Sequence, residues 1–248
     1  MTIKRQEKIS SGSYDLNKWL FGGYESDIIS MIAGGPGTGK TNLVMLAAVS
    51  QAKKGNKVIF VDTEGGFSID RIRQLLEENK EDDSILENIL LLKPTSFEEQ
   101  KKDFEKLSKE INKDHVGLIV VDSMVMLYRL ELGDALQLKD DEKIKNVNRE
   151  MAKQIKFLAE ISRKQEIPVI ITNQVYKEFQ SDEDRRKGIK PEMSLVGGDL
   201  LKYWSKCIIQ LENEGGRRKA VLIKHRSLPQ KTMNFEIVNS GVRKKGFI

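Results

Sequence analysis

Residues 34–41 read GGPGTGKT and fit the spacing G-x-x-x-x-G-K-[ST]. Gly34, Gly35, Gly37 and Gly39, with Pro36 and Thr38 between them, let backbone N–H groups curl around an anion with few side chains in the way. A helix that starts near Gly39 turns its positive end toward the same point. In such a loop Lys40 reaches the β- and γ-phosphates of a nucleotide, the Thr41 hydroxyl binds Mg2+, and Asn42 follows on the opening turn of the helix. The structural alternative is a chance Gly-rich turn. The apolar run before the loop and the helical pattern after it argue against that.

Three further polar groups stand where apolar runs end. Glu64 follows VIFVD, Asp122 closes LIVVD, and Gln174 follows VIITN. In an open parallel sheet the carboxyl ends of the strands share one edge, where ligands bind. Asp122 after four apolar residues suits an acid that holds Mg2+ through water; the plain alternative is a capping loop aspartate. Glu64 can orient and deprotonate an attacking water; otherwise it is a solvated turn carboxylate. Gln174 can sense the γ-phosphate and relay its presence to the following loop.

The elements that position these groups form a strand–helix alternation. Apolar runs at 27–33, 57–62, 88–93, 116–122 and from Pro168 predict strands. Helices are expected over 40–53, closed by Gly55, over 68–77, from Ser96 with Glu99 as a capping box, and over 141–165. In the last of these, Ile144, Val147, Met151, Ile155, Leu158 and Ser162 recur at steps of three and four, one apolar stripe on a charged helix. Residues 206–211, 220–226 and 232–238 read as strands with no helices between them. The expectation is an α/β fold with a mostly parallel sheet covered on both faces and an antiparallel C-terminal edge, in one domain over residues 1–248.

Composition narrows the chemistry. The single cysteine, Cys207, excludes an internal disulfide, and two histidines, His115 and His225, argue against a His-cluster metal enzyme. No apolar run approaches the roughly 20 residues of a membrane span, and the opening residues are no secretory signal, so a cytoplasmic protein without membrane contact is expected. The formal charge is +5, yet from Gly215 onward nine Lys/Arg face one acid, Glu236. The positive excess is therefore a C-terminal property. Cys207, Tyr203, Trp204 and His115 read as structural residues.

GGPGTGKT, VDTEGGFS, LIVVDSM and IPVIITNQV together resemble the ATPase core of the RecA/RadA recombinases. ILLLKPTSFEEQ and KHRSLP are similar to the archaeal RadB branch of that family, and the resemblance runs from about residue 9 to 241. It implies that residues 34–41 bind ATP, that Glu64 is the hydrolytic base, that Asp122 holds Mg2+ through water and that Gln174 senses the γ-phosphate. It further implies DNA binding, single-stranded DNA preferred, in recombinational repair. Weak ATP hydrolysis, no strand exchange of its own, and a RadA-type recombinase or another recombination protein as partner also follow. About ten residues precede the core, too few for the helix-hairpin-helix domain of RadA, and TIKRQEK holds no arm for docking on the next protomer.

In the family two loops face DNA. They correspond to residues 128–141, with Arg129 and Lys139, and 175–196, with Tyr176, Arg185, Arg186 and Lys187. Cations neutralise phosphates and aromatic rings stack on unpaired bases, although acids at 182–184 immediately precede the basic triplet. Along 220–226, period two sets Lys224 and Arg226 on one face and Val221, Ile223 and His225 on the other. This Lys-x-Arg resembles the KaiC-like branch, where such cations reach the phosphates of a neighbouring subunit, which implies a homo-oligomer. The alternative reading is a KaiC-like signalling ATPase that acts through protein partners without DNA. That branch usually carries paired glutamates where this chain has the single Glu64.

Overall fold

The computed structural model describes residues 7–76, 83–111, 115–177 and 193–246. The chain opens with β1 (Lys8–Ile9), α1 (Tyr14–Trp19), β2 (Tyr24–Glu25), β3 (Ile29–Gly34), α2 (Lys40–Ala52), β4 (Lys57–Asp62) and α3 (Ile69–Leu75). After a 3-10 turn at Asp83–Asn88 come β5 (Ile89–Leu92), α4 (Phe97–Glu110), β6 (Val116–Asp122), α5 (Met126–Gln137), α6 (Asp141–Gln165) and β7 (Val169–Lys177). The remainder is β8 (Met193–Leu195), α7 (Gly198–Trp204), β9 (Ser205–Glu214), β10 (Arg217–His225), β11 (Lys231–Val238) and β12 (Gly241–Lys244).

One large sheet has the order β12-β11-β10-β9-β3-β7-β6-β4-β5, with β8 paired to the end of β7. From β9 to β5 neighbouring strands run parallel; β10, β11 and β12 continue antiparallel. The strand period of two divides each buried strand between two cores. Ile59, Val61, Ile119, Val121, Val169 and Ile171 face the layer of α4, α5 and α6. Val58, Phe60, Leu118, Val120 and Ile170 face the layer of α1, α2 and the C-terminal strands. Each such fully buried Ile, Leu or Phe contributes about 1.5–3 kcal/mol of burial. The parallel pairings are in register, and the strand ends align at one edge.

Local signals explain the helix starts. Ser96 Oγ accepts from Glu99 N at 3.1 Å, while the Glu99 carboxylate reaches back to Thr95 N at 2.7 Å, one residue beyond a standard capping box. In α6 the expected stripe is buried at Val147, Met151, Ile155, Leu158 and Ser162, with Ile144 half-buried. Cys207 is 2% exposed, and burial pushes its thiol up to about 12, so it is a core residue.

Three expectations need correction. Residues 128–141 are not a loop: α5 fills most of them, and only a turn at 138–140 separates it from α6. The strand at 206–211 belongs to the antiparallel edge on one side only: β9 pairs antiparallel with β10 but parallel with β3, after the short helix α7. In β10 the alternation shifts at a bulge between Leu222 and Lys224. Lys224 and Arg226 still share a side, but Val221 joins them, and His225 falls on the side of Leu222.

Candidate nucleotide-binding site

Because β3, β4, β6 and β7 are parallel and in register, the residues at their carboxyl ends meet. The pairs Asp62↔Asp122 and Gly34↔Gln174 are direct sheet neighbours. Above them lies a cleft of about 310 Å³ lined by Pro36, Gly37, Gly39, Lys40, Thr41, Asn42, Glu64, Gln174, Arg218 and Ile237.

Gly39 precedes α2 at φ 106°, a left-handed conformation that a side chain would strain, and a Cβ there would meet Ile237 Cδ1 at 2.7 Å. A Cβ on Gly34 would come within 2.7 Å of Thr38 Oγ1 and 2.8 Å of Leu211 O. Thr38 Oγ1 donates to Gly35 O at 2.9 Å, closing the loop. The Lys40 side chain folds back, its Nζ donating to Gly34 O and Gly35 O at 3.0 Å each. Burial lowers its pKa, while the negative charges of Glu64 and Asp122 pull it up. Asn42 is held by α3: its Oδ1 accepts from Arg71 Nε at 2.8 Å, and Arg71 also donates to Val238 O and Asn239 O.

Asp122 is 1% exposed, and the peptide that follows it is cis. Thr172 Oγ1 donates to its Oδ1, the Thr41 hydroxyl stands beside the carboxylate, and Oδ2 is buried with no hydrogen-bond partner. An orphaned carboxylate oxygen beside a hydroxyl suits a hard divalent cation that keeps several waters, so the residues fit Mg2+. Among the described residues no group of three or more His, Cys, Asp or Glu forms a metal cage. Burial pushes the Asp122 carboxyl up, against the Thr172 hydrogen bond and the nearby Thr41 hydroxyl. The ionised form therefore costs stability above its raised pKa, and that cost fades as pH falls through it. Asp122→Asn should therefore raise the ligand-free melting midpoint at pH 7. By calorimetry the gain should shrink toward about pH 4. A lower midpoint at pH 7 would mean that the Thr172 bond outweighs burial.

Glu64 is exposed at the cleft rim, on a loop held by Asp62, whose carboxylate accepts from Glu64 N, Gly66 N and Phe67 N at 3.3, 3.1 and 3.0 Å. Gln174 Nε2 donates to Glu64 Oε1 at 2.8 Å, and Arg129 Nη1 donates to Gln174 Oε1 at 3.2 Å. So the base candidate, the sensor candidate and α5 form one chain of hydrogen bonds. Arg218 and Ile237 are invisible to motif reading, because they enter from β10 and β11, far along the sequence.

The remaining candidates lie elsewhere. Lys139 is exposed in the turn after α5. Tyr176 lies in β7 opposite Ser194 of β8, and Arg185, Arg186 and Lys187 fall outside the described residues. Lys224 and Arg226 sit at the opposite edge of the sheet, since the end of β10 lies beside the start of β9. Arg226 is already engaged there, with Glu25 at 2.7 Å and with both Asp27 oxygens, and Lys224 Nζ donates to Lys202 O. His225 accepts from Ser227 N and Leu228 N at Nδ1, which caps the turn after β10. Among the described residues no helix is long and apolar enough to cross a membrane.

The Rad51 family model matches residues 4–245. The DNA repair and recombination protein RadB of Methanobrevibacter smithii is 41% identical over 232 residues, 92% of each chain. That of Methanococcoides burtonii is 42% identical over 244 residues, 98% of this chain and 99% of the relative. The Methanocaldococcus jannaschii RadB is 38% identical over 229 residues, 92% and 98% of the two chains. With a strand edge that gathers Lys40, Thr41, Glu64, Asp122 and Gln174 and a match along nearly its whole length, this chain belongs to the Rad51 family and, within it, to the archaeal RadB DNA repair and recombination proteins.

Proposed function

We propose that this chain is an ATP- and DNA-binding accessory recombinase of the cytoplasm that hydrolyses Mg2+-ATP slowly and performs no strand exchange of its own. The observation that carries the reading is the hydrogen-bonded chain Glu64–Gln174–Arg129, which ties the cleft to the strand from which residues 178–192 depart. Residues 34–41 would cradle the phosphates, Lys40 would offset their charge, and Thr41 with Asp122, the latter through water, would hold Mg2+, which would supply charge neutralisation. Glu64 takes a proton from the attacking water. Its exposed carboxylate, already bonded by Gln174, supports slow turnover. A γ-phosphate competes for Gln174, and the nucleotide state thereby reaches β7, α5 and the segment between β7 and β8.

Single-stranded DNA is the ligand of that segment, with Arg185, Arg186 and Lys187 as its cations and Tyr176, Arg129 and Lys139 around it. A RadA-type recombinase or another recombination protein is the protein partner. In a homo-oligomer stacked edge to edge, Lys224 would face a neighbour's phosphates; Arg226 would first have to leave Glu25 and Asp27.

The test is binding of a labelled single-stranded oligonucleotide by anisotropy, with ATP, ADP or no nucleotide, across a salt series. Binding should be tightest with ATP. Changing Arg185, Arg186 and Lys187 together to Ala should flatten the log–log salt slope by about 2, near 0.7 for each DNA phosphate no longer neutralised. No DNA binding in any nucleotide state would favour the signalling ATPase that acts through proteins. An unchanged slope would remove the basic triplet from the interface.

A further inference from the structure

We propose that Arg218 is a phosphate ligand of the bound nucleotide, supplied by the same chain from the antiparallel side of the sheet. The proposal rests on the nucleotide-binding reading and adds a second cation to it. In β10, Arg218 pairs with Asn213 of β9 and with Phe235 of β11. Both neighbouring strands touch the phosphate loop. Asn213 Nδ2 donates to Gly37 O at 3.4 Å, and Ile237 of β11 stands where a Cβ on Gly39 would lie.

The strand period fixes which way Arg218 faces. It continues the row of Ala220 and Leu222, both buried in the core layer next to α2, whereas Arg217 before it is exposed. At the phosphate end of that row the core gives way to the cleft, which Arg218 lines with Lys40, Thr41 and Glu64.

Its guanidinium has no ion pair or hydrogen bond with any described residue, and Nε is shielded from solvent without a partner. Two other cations of the antiparallel edge are paired: Lys219 of β10 with Glu212 at 3.7 Å, and Arg243 of β12 with Glu236 at 2.6 Å. A shielded donor without an acceptor costs free energy, and the cost is recovered when an acceptor arrives. A guanidinium at a phosphate cleft matches that acceptor well, since its planar fork binds two phosphate oxygens at once. Lys40 and Arg218 then flank the phosphates from α2 and from β10.

The experiment measures ATP and ADP affinity by titration in Mg2+ over a salt series, together with thermal melting with and without nucleotide. Arg218→Gln should bind both nucleotides about tenfold more weakly, with a shallower salt dependence. Without nucleotide it should melt at or above the parent temperature, because no internal partner is lost. Arg218→Lys keeps the charge and stem without the fork; it should lose about threefold and retain the parent's salt dependence. Should Arg218→Gln fail to fold, the lysine variant decides by the same two readouts. Affinities within twofold of the parent for both nucleotides would overturn the proposal while leaving the nucleotide reading intact. A parent protein that binds neither nucleotide would overturn both.

Discussion

Lys40→Ala is expected to weaken ATP and ADP binding by at least about 10²-fold and to remove hydrolysis, while the protein stays folded. The magnitude is that of removing one buried charged partner from a polar contact, about 2–5 kcal/mol. Lys40 is 7% exposed and holds the carbonyls of Gly34 and Gly35, so without it the loop loses its internal brace and its cation together. Stability should change little. The variant gives up two hydrogen bonds to carbonyls, but it also sheds a buried ammonium whose pKa burial has lowered. Equilibrium titration with a fluorescent nucleotide, beside a ligand-free melt, separates the two effects. Binding within tenfold of the parent would sink the phosphate-loop assignment. The same variant also tests for shared sites. Mixed with Lys224→Ala protein, it should partly restore hydrolysis if chains stack edge to edge, because each chain then supplies what the other lacks. Strictly additive activity would confine the nucleotide to residues of a single chain.

Most of that site is legible in the sequence because its parts are local. The loop at 34–41 announces itself by spacing, and Glu64, Asp122 and Gln174 each end an apolar run that parallel pairing brings to one edge. What stays hidden depends on strand order, which periodicity does not encode. Arg218 reaches the cleft only because β9 lies parallel beside β3 and carries β10 with it. Neither fact follows from the alternation of residues 217–226. Helix α5 escapes for a different reason. Its apolar residues follow no single stripe: Leu127, Tyr128 and Ala135 are buried, but Leu130 and Leu136 are exposed, and Gly133 lies between them. The expectation of a loop at 128–141 fails with it, and Arg129 becomes a member of the cleft's hydrogen-bond chain. At Ile223 one extra residue is enough to move His225 to the core side, where it caps a turn. Arg226 has a counterpart in the sequence, since Glu25 and Asp27 are a pair of acids just before β3, but only the folded sheet brings them to the end of β10.

Glu64→Gln should lower hydrolysis by about 10²-fold or more, the usual yield of a positioned general base, with ATP affinity within about threefold of the parent. The substitution keeps the shape of the side chain and its bond to Gln174, since an amide oxygen accepts from Gln174 Nε2 as a carboxylate does. It removes the ability to take a proton, together with a negative charge that helps keep Lys40 protonated. Folding should be untouched, because Glu64 is exposed and its loop is held through backbone N–H groups on Asp62, not through the Glu64 carboxylate. A structural role would give a different pattern, with affinity and melting temperature falling along with the rate. The contrast with Lys40→Ala is the informative one: there binding is lost, here binding stays and turnover stops. If nucleotide state governs DNA affinity through Gln174, the Glu64→Gln protein loaded with ATP should hold single-stranded DNA longer than the parent, because it cannot pass to the ADP state. Phosphate release and oligonucleotide dissociation measured in one reaction follow both events. An unchanged rate of phosphate release would assign the attacking water to another group. A stopped turnover with unchanged DNA lifetime would cut the link between the cleft and the strand that leads out of it.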